Sequence, residues 1–138
     1  MIERKVYPPN YPEIIARFPK VAAQAVIFAY DGVIYNPTGA HISRALEVHE
    51  KMHLVRQSDH SGGAEGWWSA YLRDRPFRLF EEVVAHRVEV LHMLTKTETN
   101  RAGRRGAMKQ VARKLANPMY DFGLSNQQSL KLLRDNPS

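Results

Sequence analysis

The chain has 138 residues, 43% of them hydrophobic, which is material for one domain around a single modest core. It has no cysteine, so disulfide staples and thiolate metal sites are excluded, and any metal must be held by imidazole and carboxylate. A net charge of +6 and a pI near 9.8 favour an anionic partner such as nucleic acid, a membrane surface or an acidic polymer, without choosing among them.

Four of the eight prolines, Pro8, Pro9, Pro12 and Pro19, fall in the first 20 residues. Residues 1–25 therefore read as an extended arm along the surface, with at most a short helix around Glu13 to Phe18, and residues 26–138 as the single domain. Proline also occupies the positions where a signal peptide has its apolar stretch, and no run reaches the roughly 18 to 20 apolar residues of a membrane span. A soluble protein, made without a secretion signal and with no membrane partner, is expected. In AVIFAYDGVIYNPTG, β-branched and aromatic residues flank Asp31-Gly32, a pair suited to a two-residue hairpin turn because both positions accept φ > 0. Asn36-Pro37-Thr38-Gly39 ends the strand. The spacing of Ile42, Ala45, Leu46, His49, Met52 and His53 then predicts a helix over residues 39–57.

SDHSGG closes that helix, and AEGWWSAYL is a short amphipathic segment. Asp74 is placed to cap the next helix, with Pro76 in its first turn and an end near Lys96. Residues 100–117 form a basic helix with Met108, Val111, Ala112 and Leu115 inward and Arg101, Arg104, Arg105, Lys109, Arg113 and Lys114 largely outward, stopped by Pro118. The basic face suits nucleic acid, but it lacks the interleaved aromatics of a single-strand binder, and such faces are usually just solvated. Asn126 to Arg134 is a last helix behind Ser125 as N-cap. The sum is an α+β, mostly helical fold with one small hairpin.

Within the first long helix, His49, Glu50 and His53 form H-E-x-x-H. Histidines at i and i+4 lie one above the other, so both rings can reach a single ion. The glutamate one residue after the first histidine is turned about 100° around the helix, beside the metal. Zinc lowers the pKa of a bound water toward about 7, Glu50 takes its proton, and the hydroxide attacks a polarised carbonyl. Two neutral imidazoles facing a core need partners, and a shared metal satisfies both.

A third ligand has two sources. In the extended pattern H-E-x-x-H-x-x-G-x-x-H/D, Asp59 stands at the last position, but Arg56 replaces the glycine and His60 is one residue out of register. The other source is the helix containing RPFRLFEEVVAHRVEVLH, where Glu81, Glu82 and Glu89 are candidates. Glu82, His86 and Glu89 share one helical stripe and Glu81 joins an adjacent one, so periodicity leaves Glu81 and Glu82 close. Trp67, Trp68 and Tyr71 are spaced for packing between helices rather than for a substrate platform.

VIFAYDGVIYNPTG, VHEKMH, WWSAYLRD, FRLFEEVVAHRVE and LANPMYDFGLSNQQSLKLL, in that order, resemble the small gluzincin-type metallopeptidase-like proteins encoded in tailed-phage and prophage genomes. The resemblance runs from about Val26 nearly to the end. It implies a minimal zincin-like fold: a hairpin, the H-E-x-x-H helix, a second ligand-bearing helix and C-terminal helices. Matched to the family's E-x-x-A-[YH], it implies Zn2+ held by His49, His53 and Glu82, Glu50 as base, and His86 beside the ligands or donating to the oxyanion. Two departures stand out. The family's Gln-rich stretch survives only as Gln57, and His86 stands where tyrosine is common. The implied activity is hydrolysis of a peptide or peptidoglycan cross-link amide, with an extended peptide able to pair against the hairpin's edge strand. The alternatives are a virion or assembly component that contacts other phage structural proteins without essential catalysis, and a basic nucleic-acid-binding module. The implied location is the bacterial cytoplasm during phage production, with incorporation into the virion as a further expectation.

Overall fold

The computed structural model describes residues 2–96 and 100–135. Its elements are strand β1 (Ile2–Arg4), helix α1 (Tyr11–Arg17), a 3-10 turn (Pro19–Ala23), strands β2 (Phe28–Tyr30) and β3 (Val33–Tyr35), and helices α2 (Arg44–Asp59), α3 (Gly63–Arg73) and α4 (Arg75–Lys96). After these come α5 (Arg101–Leu115), a second 3-10 turn (Pro118–Tyr120) and α6 (Asn126–Arg134). The fold is α+β and mostly helical, as expected. Among the described residues, no helix is long and apolar enough to cross a membrane.

Asp31 and Gly32 take φ of 48° and 80°, the left-handed pair that matches the twist of a tight hairpin. Tyr30 faces Val33 across the turn, and Ala29 faces Ile34. The first 25 residues do more than extend along the surface. Residues 2–4 pair in parallel with β3, giving the order β1-β3-β2, and α1 starts with proline at its first turn, where a missing N–H costs nothing. Ile14, Phe18 and Val21 are then buried with Phe28, Tyr35, Trp67, Trp68 and Tyr71 in one apolar cluster. A second cluster gathers Val83, Val90, Val111, Ala112, Leu115, Phe122 and Leu133 from α4, α5, α6 and the tail.

Arg78 ties the two clusters together. It is fully buried, donates from Nη1 to the Tyr71 carbonyl at 2.9 Å, and lies over the rings of Phe18 and Phe122 at 4.9 and 5.4 Å. The helix starts follow local chemistry. Ser43 accepts from the Leu46 N–H, which begins α2 at Arg44 rather than near 39, and Ser125 and Gln128 form a reciprocal capping box on α6. Asp74 caps α4 through the Phe77 N–H.

The helix α2 is unusual in what it buries. Its buried side chains are His49, Glu50, His53 and Gln57, none of them apolar. Four polar groups out of water are costly unless each finds a partner: His49 and His53 turn to carboxylates on α4, and Gln57 to the backbone of β2 and its turn.

Candidate metal centre

The helices α2 and α4 pack side by side and bring His49, His53 and Glu82 together, with ligand atoms all within 4.8 Å of one another. His49 Nε2 lies 3.4 Å from Glu82 Oε1, and His53 Nε2 lies 3.3 Å from Glu82 Oε2. Bonds of about 2.0–2.2 Å arranged tetrahedrally put neighbouring donors about 3.3–3.6 Å apart, so these spacings suit one small divalent ion. Glu82 Oε1 is buried without a hydrogen-bond partner, an acceptor that a cation would satisfy. The donor set of two imidazoles and a carboxylate suits zinc. On these observations the residues present fit a metal.

The groups behind the three ligands hold them. His49 Nδ1 is 2.9 Å from Glu89 Oε1, so the carboxylate takes the Nδ1 hydrogen and leaves Nε2 facing Glu82. Glu89 in turn meets the Lys114 ammonium through Oε2. Burial alone would raise Glu89, but the hydrogen bond from His49 and the charge of Lys114 hold its carboxyl down at about 2. Burial likewise opposes charge on His49, yet Glu82 and Glu89 on either side raise it to about 10. Glu82 would also be raised by burial, and is instead held well below the usual carboxylate range by His53 and His49. A second group, His49, His86 and Glu89, has metal-ligand spacing, but it shares His49 with the first and Lys114 already supplies its cation.

His86 is fully buried and its Nδ1 sits 2.6 Å from the Glu82 main-chain carbonyl. A carbonyl only accepts, so Nδ1 carries the hydrogen and Nε2 a lone pair without a partner. Burial pushes the ring down to about 3 and keeps it neutral. His86 packs against the His49 ring at 4.5 Å, behind the ligands rather than on the cavity wall. Of its two expected roles, this position suits holding a ligand.

Tyr71 and Tyr120 are the hydroxyls that reach the cavity. Tyr71 donates to Glu82 Oε2 at 2.5 Å, and burial followed by the Glu82 charge pushes both phenols well above 10. Glu50 lines the same cavity, and burial raises its carboxyl. Glu81 does not approach the ligands. Its carboxylate takes two bonds from Arg56 Nε and one of 2.7 Å from Nη2, plus one of 2.7 Å from Trp67 Nε1. Asp59 and His60 belong to neither metal-spaced group among the described residues. Trp67 and Trp68 lie in the apolar cluster, as their spacing suggests.

The cavity in front of the ligands holds about 200 Å³ and opens between α1, the residue 24–29 stretch, α3 and Tyr120. Apart from the ligands, Glu50, the two tyrosines, Gln24 and Lys114, its walls are apolar. The outer edge of β2 is already occupied. Gln57 Nε2 donates to the Ala29 carbonyl at 2.8 Å and Gln57 Oε1 accepts from the Asp31 N–H at 3.0 Å, while Trp68 Nε1 also donates to Ala29 at 2.9 Å.

Sequence reasoning missed Lys114 and the hydroxyl roles of Tyr71 and Tyr120. For Lys114 a signal existed: it falls three after Val111 and one before Leu115, both fully buried, on the inward side of α5. Comparison with protein-family models, with curated proteins and with solved structures gives no match to this chain.

Proposed function

We propose that this protein is a zinc-dependent amide hydrolase of the metallopeptidase type, acting on a peptide or a peptidoglycan cross-link. One observation carries the reading: the ligand atoms of His49, His53 and Glu82 and the non-ligand carboxylate of Glu50 share one wall of a largely apolar cavity. When bound, the metal supplies polarisation of the scissile carbonyl and a lowered pKa for a neighbouring water. Glu50 takes the proton of the attacking water on its carboxylate and delivers it to the leaving nitrogen as the amide bond breaks. Its burial favours this, because a carboxyl raised above its ordinary range holds a proton more readily once it has taken one. Tyr71 and Tyr120 keep their protons at neutral pH, and Tyr71 spends its hydrogen on Glu82, so its part is to hold that ligand. The apolar walls keep bulk water from these groups.

The test separates ligand from base. Glu50→Gln retains one zinc per chain and the fold, while hydrolysis of a peptide mixture and of purified peptidoglycan falls by about 10²–10⁴-fold. Equal behaviour of wild type and variant on both substrates withdraws the hydrolase assignment and leaves a metal-holding assembly component, which particle assembly in a parent phage would then reveal.

A further inference from the structure

The basic helix α5 has no part in the metal-centre reading beyond Lys114, and the cations of its first turns are arranged at a cost to the fold. Arg101, Arg105, Lys109 and Arg113 follow one another at i+4, so they form a single stripe rising about 18 Å along the helix. All four are exposed, and among the described residues none has a hydrogen bond or ion pair. Like charges at this spacing repel, and cations at a helix start oppose the macrodipole. No acidic residue stands in the first turn to offset either effect.

Gly106 on this helix is equally unexplained by the fold. Residues 101–106 are exposed without exception, so the first turn and a half of α5 is held by its Asn100 cap and not by packing. Gly106 does not take a positive φ, and a Cβ built on it meets nothing within 4 Å. A side chain there would fit and would strengthen the helix. A glycine that the chain's own packing does not need, beside a column of unpaired cations, suits a surface that another molecule approaches closely.

The chemistry of the face selects the partner. Its exposed residues are arginine, lysine, glycine, alanine and glutamine, while the apolar residues Val111, Ala112 and Leu115 are spent on the interior. It has no exposed aromatic or leucine to enter a lipid headgroup layer, and no aromatic on which unpaired bases could stack. It does have charge at a spacing that a phosphate backbone matches, since duplex DNA carries about ten phosphates over 18 Å of axis. We infer that the α5 stripe of Arg101, Arg105, Lys109 and Arg113 is a docking surface for double-stranded nucleic acid, gripping phosphates without reading sequence.

Binding of a labelled 20-base-pair DNA duplex to the full chain, followed by fluorescence anisotropy from 50 to 200 mM salt, tests this. Four phosphate contacts give a log–log salt slope of about −3.6, a loss of about a hundredfold across that range. The variant Arg101→Gln/Arg105→Gln/Lys109→Gln/Arg113→Gln is expected to bind at least tenfold more weakly at 50 mM salt and to lose most of the slope. A matched variant that removes four exposed cations elsewhere, Arg4→Gln/Lys5→Gln/Lys20→Gln/Arg73→Gln, is expected to bind within about threefold of wild type, with circular dichroism confirming both folds. The inference is overturned by no duplex binding at 50 mM salt, by equal losses in the two variants, or by binding to anionic phosphatidylserine vesicles without binding to the duplex.

Discussion

Replacing Glu89 by glutamine removes one charge behind the metal ligands and leaves the side chain's shape intact. The residue accepts the Nδ1 hydrogen of His49 at 2.9 Å and is itself bonded to Lys114, so the substitution turns a charge-assisted bond into a neutral one while His49 stays in place. Loss of such a carboxylate behind a ligating histidine typically costs 10–100-fold in metal affinity, or about 1.4–2.7 kcal/mol. Lys114→Met perturbs the other end. It leaves Glu89 charged and bonded to His49, so zinc affinity is largely kept, but stability falls. Breaking a fully buried pair costs about 3–5 kcal/mol; because the Lys114 side chain is 41% exposed, water reaches it and the expected cost is about 1–3 kcal/mol. Chelator competition measures the first quantity, and urea unfolding of the metal-free protein measures the second. In the double variant the two stability losses are expected to fall short of their sum by about 0.5–3 kcal/mol, since glutamine at 89 removes the charge that Lys114 offsets. Zinc affinity of Glu89→Gln within twofold of wild type would refute the reasoning, because His49 would then need no carboxylate to orient it.

Glu82→Gln is expected to lose zinc on dialysis while Glu81→Gln keeps it. Glu81→Gln instead costs about 1–3 kcal/mol of stability, measured by denaturant unfolding, because Arg56 and Trp67 lose a charged acceptor. In the metal-free protein, His49 has its pKa raised from 6.5 to about 10, so its stabilising charge is fully present below 6.5 and is lost as pH rises toward 10. Glu89 has its pKa lowered to about 2, so its contribution is complete above about 4.5 and is lost as pH falls toward 2. Burial holds His86 down at about 3, so its neutral ring adds stability above 6.5 that is lost as pH falls below it; the melting temperature in EDTA should therefore be highest near pH 6.5 and decline on both sides, and zinc should abolish the alkaline decline by taking the place of the proton on Nε2. A flat profile in EDTA between pH 6.5 and 10 would contradict this. Gly106→Ala should raise stability by about 0.5–1 kcal/mol, read from the denaturation midpoint, since the site is helical and open.

The parts of the fold that were legible in the sequence are those fixed by local chemistry. The Asp31-Gly32 turn and the Asp74 and Ser125 caps each follow from a few adjacent residues. The start of α2 was placed too early because the periodic Ile42 outweighed Ser43, whose hydroxyl takes the first free N–H. Strand β1 gave no signal, since three exposed residues before a proline pair become a strand only when β3 is beside them. At the site, the i,i+4 histidines were plain, and the resemblance rather than periodicity separated Glu82 from Glu81. What separates them in the structure is tertiary: Arg56 and Trp67 claim Glu81, and no spacing along α4 reveals that. Lys114 was counted among the outward charges although its place between Val111 and Leu115 set it on the inward side of α5; which carboxylate it meets there is tertiary.

Gln57 closes the β2 edge with its side-chain amide, which bonds the Ala29 carbonyl and the Asp31 N–H as a neighbouring peptide unit would. Just upstream, the Val26 N–H is turned back to the Gln24 carbonyl at 3.0 Å, so that stretch is bent rather than laid out for pairing. On the proposed hydrolase reading, a peptide at this site would therefore find little of the repeating main-chain ladder that recognises an extended chain. It would be held by side-chain surfaces and by the groups around the three ligands. On that reading, recognition would rest on the flanking side chains more than on the main chain of the substrate.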